Sequence, residues 1–321
     1  MTRLFLSTLI ILILSLHSCE IFDQEKDKNI DKLVEYFNQK EYEKAIIYAN
    51  KLIEKNPDDY ISWTTKSRAL FNLGKDQQAI AAINKAISIN PKYYEAYGFR
   101  AAVYKLSGKY EVNQIISDID IALSGEPNNT QLIKIKADAL KELGEFSKEI
   151  SLYDIVLSLD PKDYEVIVAK ASSNKNLGNY DLALTGYKEA IKMYPNKSFA
   201  FEERAYLFIE NEQFEKAITD YNKVIDSIPS DKDIPQIKAY SLNNRGFAYY
   251  KIGKNDKALS DINESLKILN TNSYAYKNRA LVYLNKDLKG KGCSDLAKAI
   301  ELGYTEQYGD KVEKLLNKNC R

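Results

Sequence analysis

YEVIVAKASSNKNLGNYDLALTGYKEAIKMYP, residues 164–195, is the stretch that decides the fold of this chain. In both halves of it, apolar and small residues recur every three or four positions, which is the spacing of one face of an α-helix. Gly178 stands between the halves, where it ends the first helix and lets the second reverse direction. Pro195 cannot lie inside a continuing helix. The stretch therefore predicts a helix hairpin that closes at Pro195.

The same unit recurs along the chain, and prolines mark its end. Six of the seven prolines fall at intervals of 34, 36, 34, 34 and 34 residues, namely Pro57, Pro91, Pro127, Pro161, Pro195 and Pro229. With the glycine, tyrosine and alanine positions between them, they resemble the 34-residue unit of the tetratricopeptide repeat family. The resemblance implies an all-α, right-handed superhelical solenoid of about eight helix-turn-helix repeats, closed by a capping helix.

The proline period sets the expected boundaries. Repeats are predicted near residues 26–59, 60–93, 94–129, 130–163, 164–197, 198–231, 239–272 and 273–305. A longer connection, Ser230 to Lys238, precedes the seventh repeat. Residues 306–321 are expected to form an amphipathic helix that covers the end of the stack.

The N-terminal segment has the layout of a signal peptide. Arg3 precedes an apolar run from Leu4 to Leu16 that is too short for a comfortable transmembrane helix. Leu16-His17-Ser18-Cys19 then resembles a bacterial lipobox. It implies cleavage after residue 18, acylation of Cys19 and a short tether over 19–25. The alternative is an ordinary signal peptide with an incidental cysteine.

Composition argues against catalysis and against nucleic-acid binding. The chain has 46 basic and 45 acidic residues, so no charge field favours nucleic acid. Its one histidine, His17, lies in the segment expected to be removed, which excludes imidazole-based catalysis and most zinc sites. No phosphate-binding loop, dinucleotide fingerprint or CxxC motif is present. We therefore expect no catalytic residues, no cofactor and no metal.

Arginine and aspartate occur together in four repeats. The arginines stand at the seventh position of their repeats. The aspartates stand at the twenty-third when counted back from the closing position, since the third repeat has two extra residues: Arg100 with Asp118, Arg204 with Asp220, Arg245 with Asp261, and Arg279 with Asp295. One interpretation is a two-pronged ion pair that joins the two helices of each hairpin. The other is recent duplication of one repeat type without a bond.

Cys293 and Cys320 are the two thiols that remain beside Cys19. In a secreted chain an even pair suggests a disulfide, which here ties the last hairpin to the cap. Two separate thiols remain the alternative.

A binding groove is expected on the inner face of repeats six to eight. In this family's geometry, fixed positions of each first helix line the concave surface, and here they are apolar or aromatic: Phe199, Tyr206, Ile209, Tyr240, Phe247, Tyr250, Tyr274, Leu281 and Leu284. The same positions of repeats four and five are polar, among them Lys134, Asp138, Lys141 and Lys175. An exposed aromatic patch suits a protein or peptide partner. Alternatively, some of these rings pack between neighbouring hairpins.

The carboxylate-clamping subfamily of these repeats needs Lys and Asn at fixed inner positions. Lys134 and Lys277 occupy the lysine position, but Asp138 and Leu281 stand where asparagine is required. That clamp is therefore not expected. The sequence favours a non-catalytic scaffold, lipid-anchored in a bacterial envelope at the outer membrane, that binds a protein or peptide. The rival hypothesis is an accessory subunit that contacts murein or glycan beside an enzyme.

Overall fold

The computed structural model describes residues 24–108, 110–228 and 235–320, and these ranges contain eighteen α-helices and no strand. The helices in chain order are α1 (Gln24–Asn38), α2 (Tyr42–Lys55), α3 (Tyr60–Asn72), α4 (Asp76–Ile89), α5 (Tyr94–Ser107), α6 (Val112–Gly125), α7 (Thr130–Glu142), α8 (Phe146–Leu159), α9 (Tyr164–Asn176), α10 (Tyr180–Met193), α11 (Phe199–Glu210), α12 (Phe214–Ser227), α13 (Pro235–Lys251), α14 (Asn255–Ile268), α15 (Ser273–Asn285), α16 (Lys289–Glu301), α17 (Tyr304–Tyr308) and α18 (Lys311–Cys320).

Helices α1 to α16 form eight consecutive hairpins, which confirms the predicted all-α repeat architecture. Gly178 adopts φ 78° at the turn between α9 and α10, a left-handed conformation that glycine takes without strain. Asp287 adopts φ 58° at the equivalent turn of the eighth hairpin. The turn geometry is therefore kept even where the sequence lacks glycine.

The described residues fall into two compact units, and the chain passes from one to the other between Val166 and Ile167, within α9. We call them the N-terminal and C-terminal units. In the N-terminal unit, Ile83, Phe99 and Val103 pack in one of the buried clusters. In the C-terminal unit, Ala205, Phe208 and Tyr221 pack in the sixth hairpin, and further clusters fill the hairpins that follow. Each hairpin thus buries its apolar stripe against its neighbours in the same unit.

All four predicted Arg–Asp pairs are present, which confirms the ion-pair interpretation. In each, arginine Nε and Nη2 donate to the two carboxylate oxygens of the aspartate at 2.6 to 2.8 Å. Arg245 also donates from Nη1 to Asn222 Oδ1 of the preceding hairpin at 2.7 Å. The aspartate side chains are only 5–11% exposed. The pairs therefore lock the two helices of a hairpin together at a largely buried position.

The cap consists of two helices, α17 and α18, where the sequence predicted one. Gly309 separates them with φ 79° and ψ −177°, a conformation that is essentially restricted to glycine. Tyr304 and Val312 are buried against Leu296 and Ala299 of the last hairpin. This apolar contact anchors both cap helices to α16.

A disulfide joins Cys293 of α16 to Cys320 of α18, with the two Cα atoms 5.7 Å apart. The bridge spans a sequence separation of 27 residues. It closes the C-terminal unit covalently at the end of the cap.

Two of the sequence-based boundaries differ from the observed helices. Helix α1 begins at Gln24, inside the segment expected to be a tether, and α13 begins at Pro235, inside the expected connection. Proline at the first helical position is favourable because its fixed φ suits a helix and its missing N–H has no partner there. The predicted signal peptide and Cys19 lie outside the described residues. No helix in the described ranges has the length and apolar character needed to cross a membrane.

Candidate functional site

A cavity of about 530 Å³ lies in the C-terminal unit between the first helices of hairpins six, seven and eight and the cap. Its lining, which we call the C-terminal groove, consists of Tyr206, Ile209, Glu210, Tyr240, Asn243, Asn244, Phe247, Asn272, Tyr274, Tyr304, Tyr308 and Lys311. The volume falls in the range of about 300–1,000 Å³ that is typical of ligand sites.

The structure brings five of the nine predicted groove residues to this cavity, namely Tyr206, Ile209, Tyr240, Phe247 and Tyr274. Three successive first helices supply them: α11, α13 and α15. Tyr206 and Tyr240 are 45% and 47% exposed, so both rings present a large free surface. A ligand in the groove would therefore contact aromatic side chains from neighbouring hairpins.

The other four predicted residues do not line the cavity. Phe199 is exposed on α11 but lies outside the groove, and Leu281 is half-buried outside it. Tyr250 packs beside Phe247 and against the core of the seventh hairpin. Leu284 packs inside the last hairpin, where Gly292 leaves room for its side chain. For Tyr250 and Leu284, packing within the array is thus what the structure shows.

The cap contributes three lining residues that the repeat pattern did not predict: Tyr304, Tyr308 and Lys311. Tyr304 and Tyr308 stand four residues apart on α17, a spacing that places two rings on one helix face. That spacing is visible in the sequence and was the available signal. The cap therefore forms one wall of the groove as well as covering the end of the array.

Three tyrosine rings pack together at this wall. Tyr274 lies 5.7 Å from Tyr304 and 5.3 Å from Tyr308 between ring centroids, and Tyr304 lies 4.9 Å from Tyr308. Burial and the neighbouring phenols raise the pKa of Tyr304 to about 12, and burial also raises the pKa of Tyr274. Both phenols are protonated near neutral pH, as an unperturbed tyrosine also is, and can donate hydrogen bonds.

Lys277 lies behind the groove lining on α15, and its ammonium faces aromatic rings. Its Nζ is 4.7 Å from the ring centroid of Tyr274 and 5.3 Å from that of Phe247. Burial, followed by the positive charges of Lys311 and Lys251, lowers the pKa of Lys277 to about 8. The cation is thus stabilised by two ring faces while two like charges act against it.

A chain of asparagines connects this lysine to the groove. Lys277 Nζ donates to Asn278 Oδ1 at 3.2 Å, Asn278 Nδ2 donates to Asn243 Oδ1 at 3.0 Å, and Asn243 Nδ2 donates to Asn244 Oδ1 at 3.1 Å. Asn243 and Asn278 are at most 2% exposed. The chain fixes the orientation of the amides that reach the lining.

Asn272 adds a polar group at the start of α15. Its Oδ1 accepts from the backbone N–H groups of Tyr274 and Ala275 and so caps the helix. Its Nδ2 is buried and has no hydrogen-bond partner among the described residues. A buried donor without a partner carries a desolvation cost, which a ligand oxygen in the groove could relieve.

The residues predicted as a polar inner face of repeats four and five are largely paired. Lys134 contacts Asp163 at 3.1 Å and Lys105 contacts Asp138 at 3.2 Å in the N-terminal unit. In the C-terminal unit, Lys175 contacts Glu203 at 3.0 Å. Lys134, Asp138 and Lys175 are therefore each paired with an opposite charge within the fold.

The side chains of the groove are suited to binding a ligand. It combines ring faces, amide and phenol hydrogen-bond donors, one carboxylate and one exposed ammonium, from Glu210 and Lys311. Among the residues that the structure describes, no group of three or more His, Cys, Asp or Glu could hold a metal ion. These groups fit a ligand that has both apolar and polar parts.

Comparison with known proteins identifies the repeats. Models described as Tetratricopeptide repeat match residues 60–93 and 168–232, so the chain carries tetratricopeptide repeats in both of its units. The U-box domain-containing protein 70 of Oryza sativa subsp. japonica is 27% identical over 115 residues, which are 36% of this chain and 14% of that protein. The chain spans between 14% and 21% of the length of the curated relatives it matches first.

Two solved structures have the same fold. A tetratricopeptide repeat protein from Parabacteroides merdae ATCC 43184 aligns over 82% of this chain and 99% of its own, with a TM-score of 0.63 and 21% identity. YrrB, described as a TPR protein with an unusual peptide-binding site, aligns over 57% of this chain and 93% of its own, with a TM-score of 0.50 and 22% identity. At these identities the likeness establishes the fold alone.

Proposed function

We propose that this protein is a non-catalytic scaffold of the bacterial cell envelope and that its C-terminal groove binds a segment of a partner protein. The observation that carries the proposal is the cavity lined by Tyr206, Tyr240, Phe247 and Tyr274 on three successive first helices. Tetratricopeptide arrays use the surface formed by successive hairpins for binding. A groove built in this way suits an extended peptide that contacts one hairpin after another.

The composition of the lining supports a protein ligand. Tyrosine carries binding energy at interfaces because its rigid ring buries a large area and its hydroxyl finds a hydrogen-bond partner. The amides of Asn243, Asn244 and Asn272 have the donors and acceptors that a peptide backbone needs. YrrB, which shares the fold, is itself described as having a peptide-binding site.

The proposed membrane anchor rests on Leu16-His17-Ser18-Cys19. Acylation of Cys19 would hold the array at the outer membrane, because each buried methylene contributes about 0.8 kcal/mol and several chains bind stably. With Cys19→Ala, we expect loss of incorporated labelled fatty acid and loss of the protein from the membrane fraction. Unchanged labelling and unchanged membrane retention would contradict the anchor.

Site-specific photocrosslinking in intact cells tests the binding function. A photoreactive amino acid replaces Tyr240 at the groove, and the matched control replaces Tyr180, which is 45% exposed in the same unit but lies outside the groove. We expect a protein adduct from position 240 and none from position 180. Phe247→Ala should remove the adduct, whereas Phe199→Ala, a change outside the groove, should leave it.

The chemical nature of the adduct decides between the two functional hypotheses. A polypeptide identified by mass spectrometry at position 240 supports the scaffold. A saccharide adduct at the same position, with no polypeptide, contradicts it and favours contact with murein or glycan. Equal protein adducts from positions 240 and 180 would show that the groove has no special role.

A further inference from the structure

We propose that the C-terminal groove selects an acidic peptide segment in which an aspartate or glutamate stands beside an aromatic or aliphatic side chain. The inference rests on the proposed binding function and names the chemistry of its ligand. Its basis is an excess of unpaired positive charge next to an aromatic cavity.

Three lysines supply this charge from three helices: Lys251 on α13, Lys277 on α15 and Lys311 on α18. Among the described side chains, none of the three has a carboxylate within ion-pair distance. Lys251 lies over the ring of Phe214 at 5.4 Å and Lys277 over Phe247 and Tyr274. Lys311 lines the groove itself.

The charges of Lys251 and Lys311 act on the ammonium of Lys277. The positive charges of Lys311 and Lys251 are among the causes that lower the pKa of Lys277, after burial. The groups that face the Lys277 ammonium are Lys251 and Phe247 from α13, Lys311 from α18, and Tyr274 and Asn278 from its own helix. No acidic side chain is among them. A ligand carboxylate bound here would replace repulsion with attraction.

Buried hydrogen-bond donors at the same place point to a ligand that accepts hydrogen bonds. The Nδ2 group of Asn272 is buried and has no hydrogen-bond partner within residues 24–108, 110–228 and 235–320, and Asn272 is 8% exposed. The phenols of Tyr274 and Tyr304 also line the groove and, like any tyrosine near neutral pH, are protonated donors. Carboxylate and carbonyl oxygens are the acceptors that satisfy such donors.

The apolar part of the ligand follows from the lining residues of α11 and α13. Tyr206 and Ile209 on α11 and Phe247 on α13 present ring and aliphatic surface to the cavity. Glu210, the one acidic residue of the lining, also lies on α11, and its charge adds to burial in raising the pKa of Tyr206. The groove is therefore positive toward the cap and apolar with one negative charge toward α11. This polarity sets the direction in which an acidic, partly apolar peptide would lie.

The arrangement differs from the Lys/Asn carboxylate clamp of the family. Leu281 stands where the clamp needs asparagine, and Lys311 belongs to the cap rather than to a repeat. Side-chain carboxylates within a peptide, with both termini blocked, are thus the group to test.

The test uses three fluorescent heptapeptides with an acetylated N-terminus and an amidated C-terminus. The first is Gly-Ser-Asp-Phe-Glu-Leu-Gly, the second has Asn and Gln in place of Asp and Glu, and the third has Lys at both positions. Binding to the full chain is measured by anisotropy at low salt. We expect the acidic peptide to bind at least about tenfold more tightly than its amide isostere, which equals about 1.4 kcal/mol.

Variants assign this preference to the lysines. Lys311→Ala and Lys277→Met should each remove most of the preference for the acidic peptide. The matched control is Lys314→Ala, because Lys314 lies on the same helix with a 75% exposed side chain and is paired with Asp310. Tyr206→Ala should weaken binding of the acidic peptide and of its isostere alike.

The possible outcomes distinguish the preference for acidic peptides from the proposed binding of peptides in the groove. Equal binding of the acidic peptide and its isostere, with both lost in Tyr206→Ala, overturns the charge preference and leaves the peptide groove intact. A preference that survives both lysine variants also overturns it. Absence of binding by all three peptides overturns the inference, while crosslinking from position 240 decides independently whether the groove holds a protein.

Discussion

Two lysines of the N-terminal unit, Lys105 and Lys134, have surroundings opposite to those of Lys277 in the C-terminal unit. In the N-terminal unit, Lys105 and Lys134 contact Asp138 and Asp163 at close to 3 Å. In the C-terminal unit, Lys277 meets aromatic rings and other lysines instead. Lys105 and Lys134 therefore complete ion pairs, whereas Lys277 has no carboxylate within ion-pair distance among the described side chains. Other lysines of the C-terminal unit, such as Lys175, are paired.

This difference indicates where a ligand can gain binding energy. A lysine already paired with a carboxylate must break that pair before it can bind another anion, so little is gained. An unpaired lysine that is partly buried gains the full interaction when an anion arrives. Binding should therefore concentrate at the C-terminal unit, although the N-terminal unit has as many hairpins.

The largest expected effect comes from breaking a buried pair. Arg245→Met leaves the Asp261 carboxylate buried and unpaired, so we expect a loss of about 3–5 kcal/mol in the free energy of unfolding. Chemical denaturation monitored by circular dichroism measures it. Combining Arg245→Met with Asp261→Leu should recover part of the loss, and strictly additive single effects would contradict the pair.

The disulfide should contribute almost as much to the free energy of unfolding as the buried ion pair, and its loss should loosen the cap alone. In the chain-entropy model, a bridge across the observed separation of 27 residues contributes about 3–4 kcal/mol. With Cys293→Ser and Cys320→Ser combined, we expect faster amide hydrogen exchange in α17 and α18 and weaker binding in the groove. Exchange in α3 to α6 serves as the internal control. Uniform change across both units would argue against a local role.

Lys277→Met should stabilise the protein, opposite in sign to Arg245→Met. The lysine has a lowered pKa of about 8 in the folded chain against 10.5 when unfolded, so the unfolded state binds more protons between these values. The wild-type penalty is therefore complete below pH 8 and declines as pH rises toward 10.5. We expect a gain of about 1–3 kcal/mol at pH 7 that shrinks by pH 9.5.

Denaturation curves of wild type and Lys277→Met at the two pH values test this sign. Destabilisation of the variant at pH 7 would mean that the ring contacts outweigh the burial and repulsion of the charge. It would also remove the contrast between the units.

The smallest effect is expected in the N-terminal unit. Lys134→Met removes a single contact with Asp163 at 3.1 Å, and Asp163 keeps its hydrogen bond from the backbone N–H of Val166, so the loss should be about 1 kcal/mol, with no change in peptide affinity. A binding loss equal to that of Lys311→Ala would place the ligand in the N-terminal unit.

The fold could be predicted from the sequence because the same pattern of helix-ending residues recurs in successive repeats. Proline and glycine positions fix where helices end, and their regular return identifies the hairpins. The Arg–Asp pairs could be predicted for the same reason, since two repeat positions change together in four repeats. A contact that recurs at the same two positions of several repeats can be recognised from a single sequence.

The groove could be predicted only in part because its remaining residues lie outside this period. The cap breaks at Gly309, and burial of Tyr304 and Val312 then directs Tyr308 and Lys311 toward the cavity. The surroundings of Lys277 depend on Lys251 and Lys311, which are distant in the chain. Contacts of this kind follow from tertiary packing, which no repeat position encodes.

The most direct test of the contrast is the pKa of Lys277, measured by NMR of a ¹³C-labelled lysine side chain and assigned with Lys277→Met. In the free protein we expect a value of about 8. Saturating acidic heptapeptide should raise it by at least about one unit, because a bound carboxylate favours the charged amine, while the amide isostere should leave it unchanged. A pKa near 10.5 in the protein without peptide, or a pKa that the acidic peptide does not change, would contradict the claim that Lys277 is an unpaired cation that interacts with a bound carboxylate.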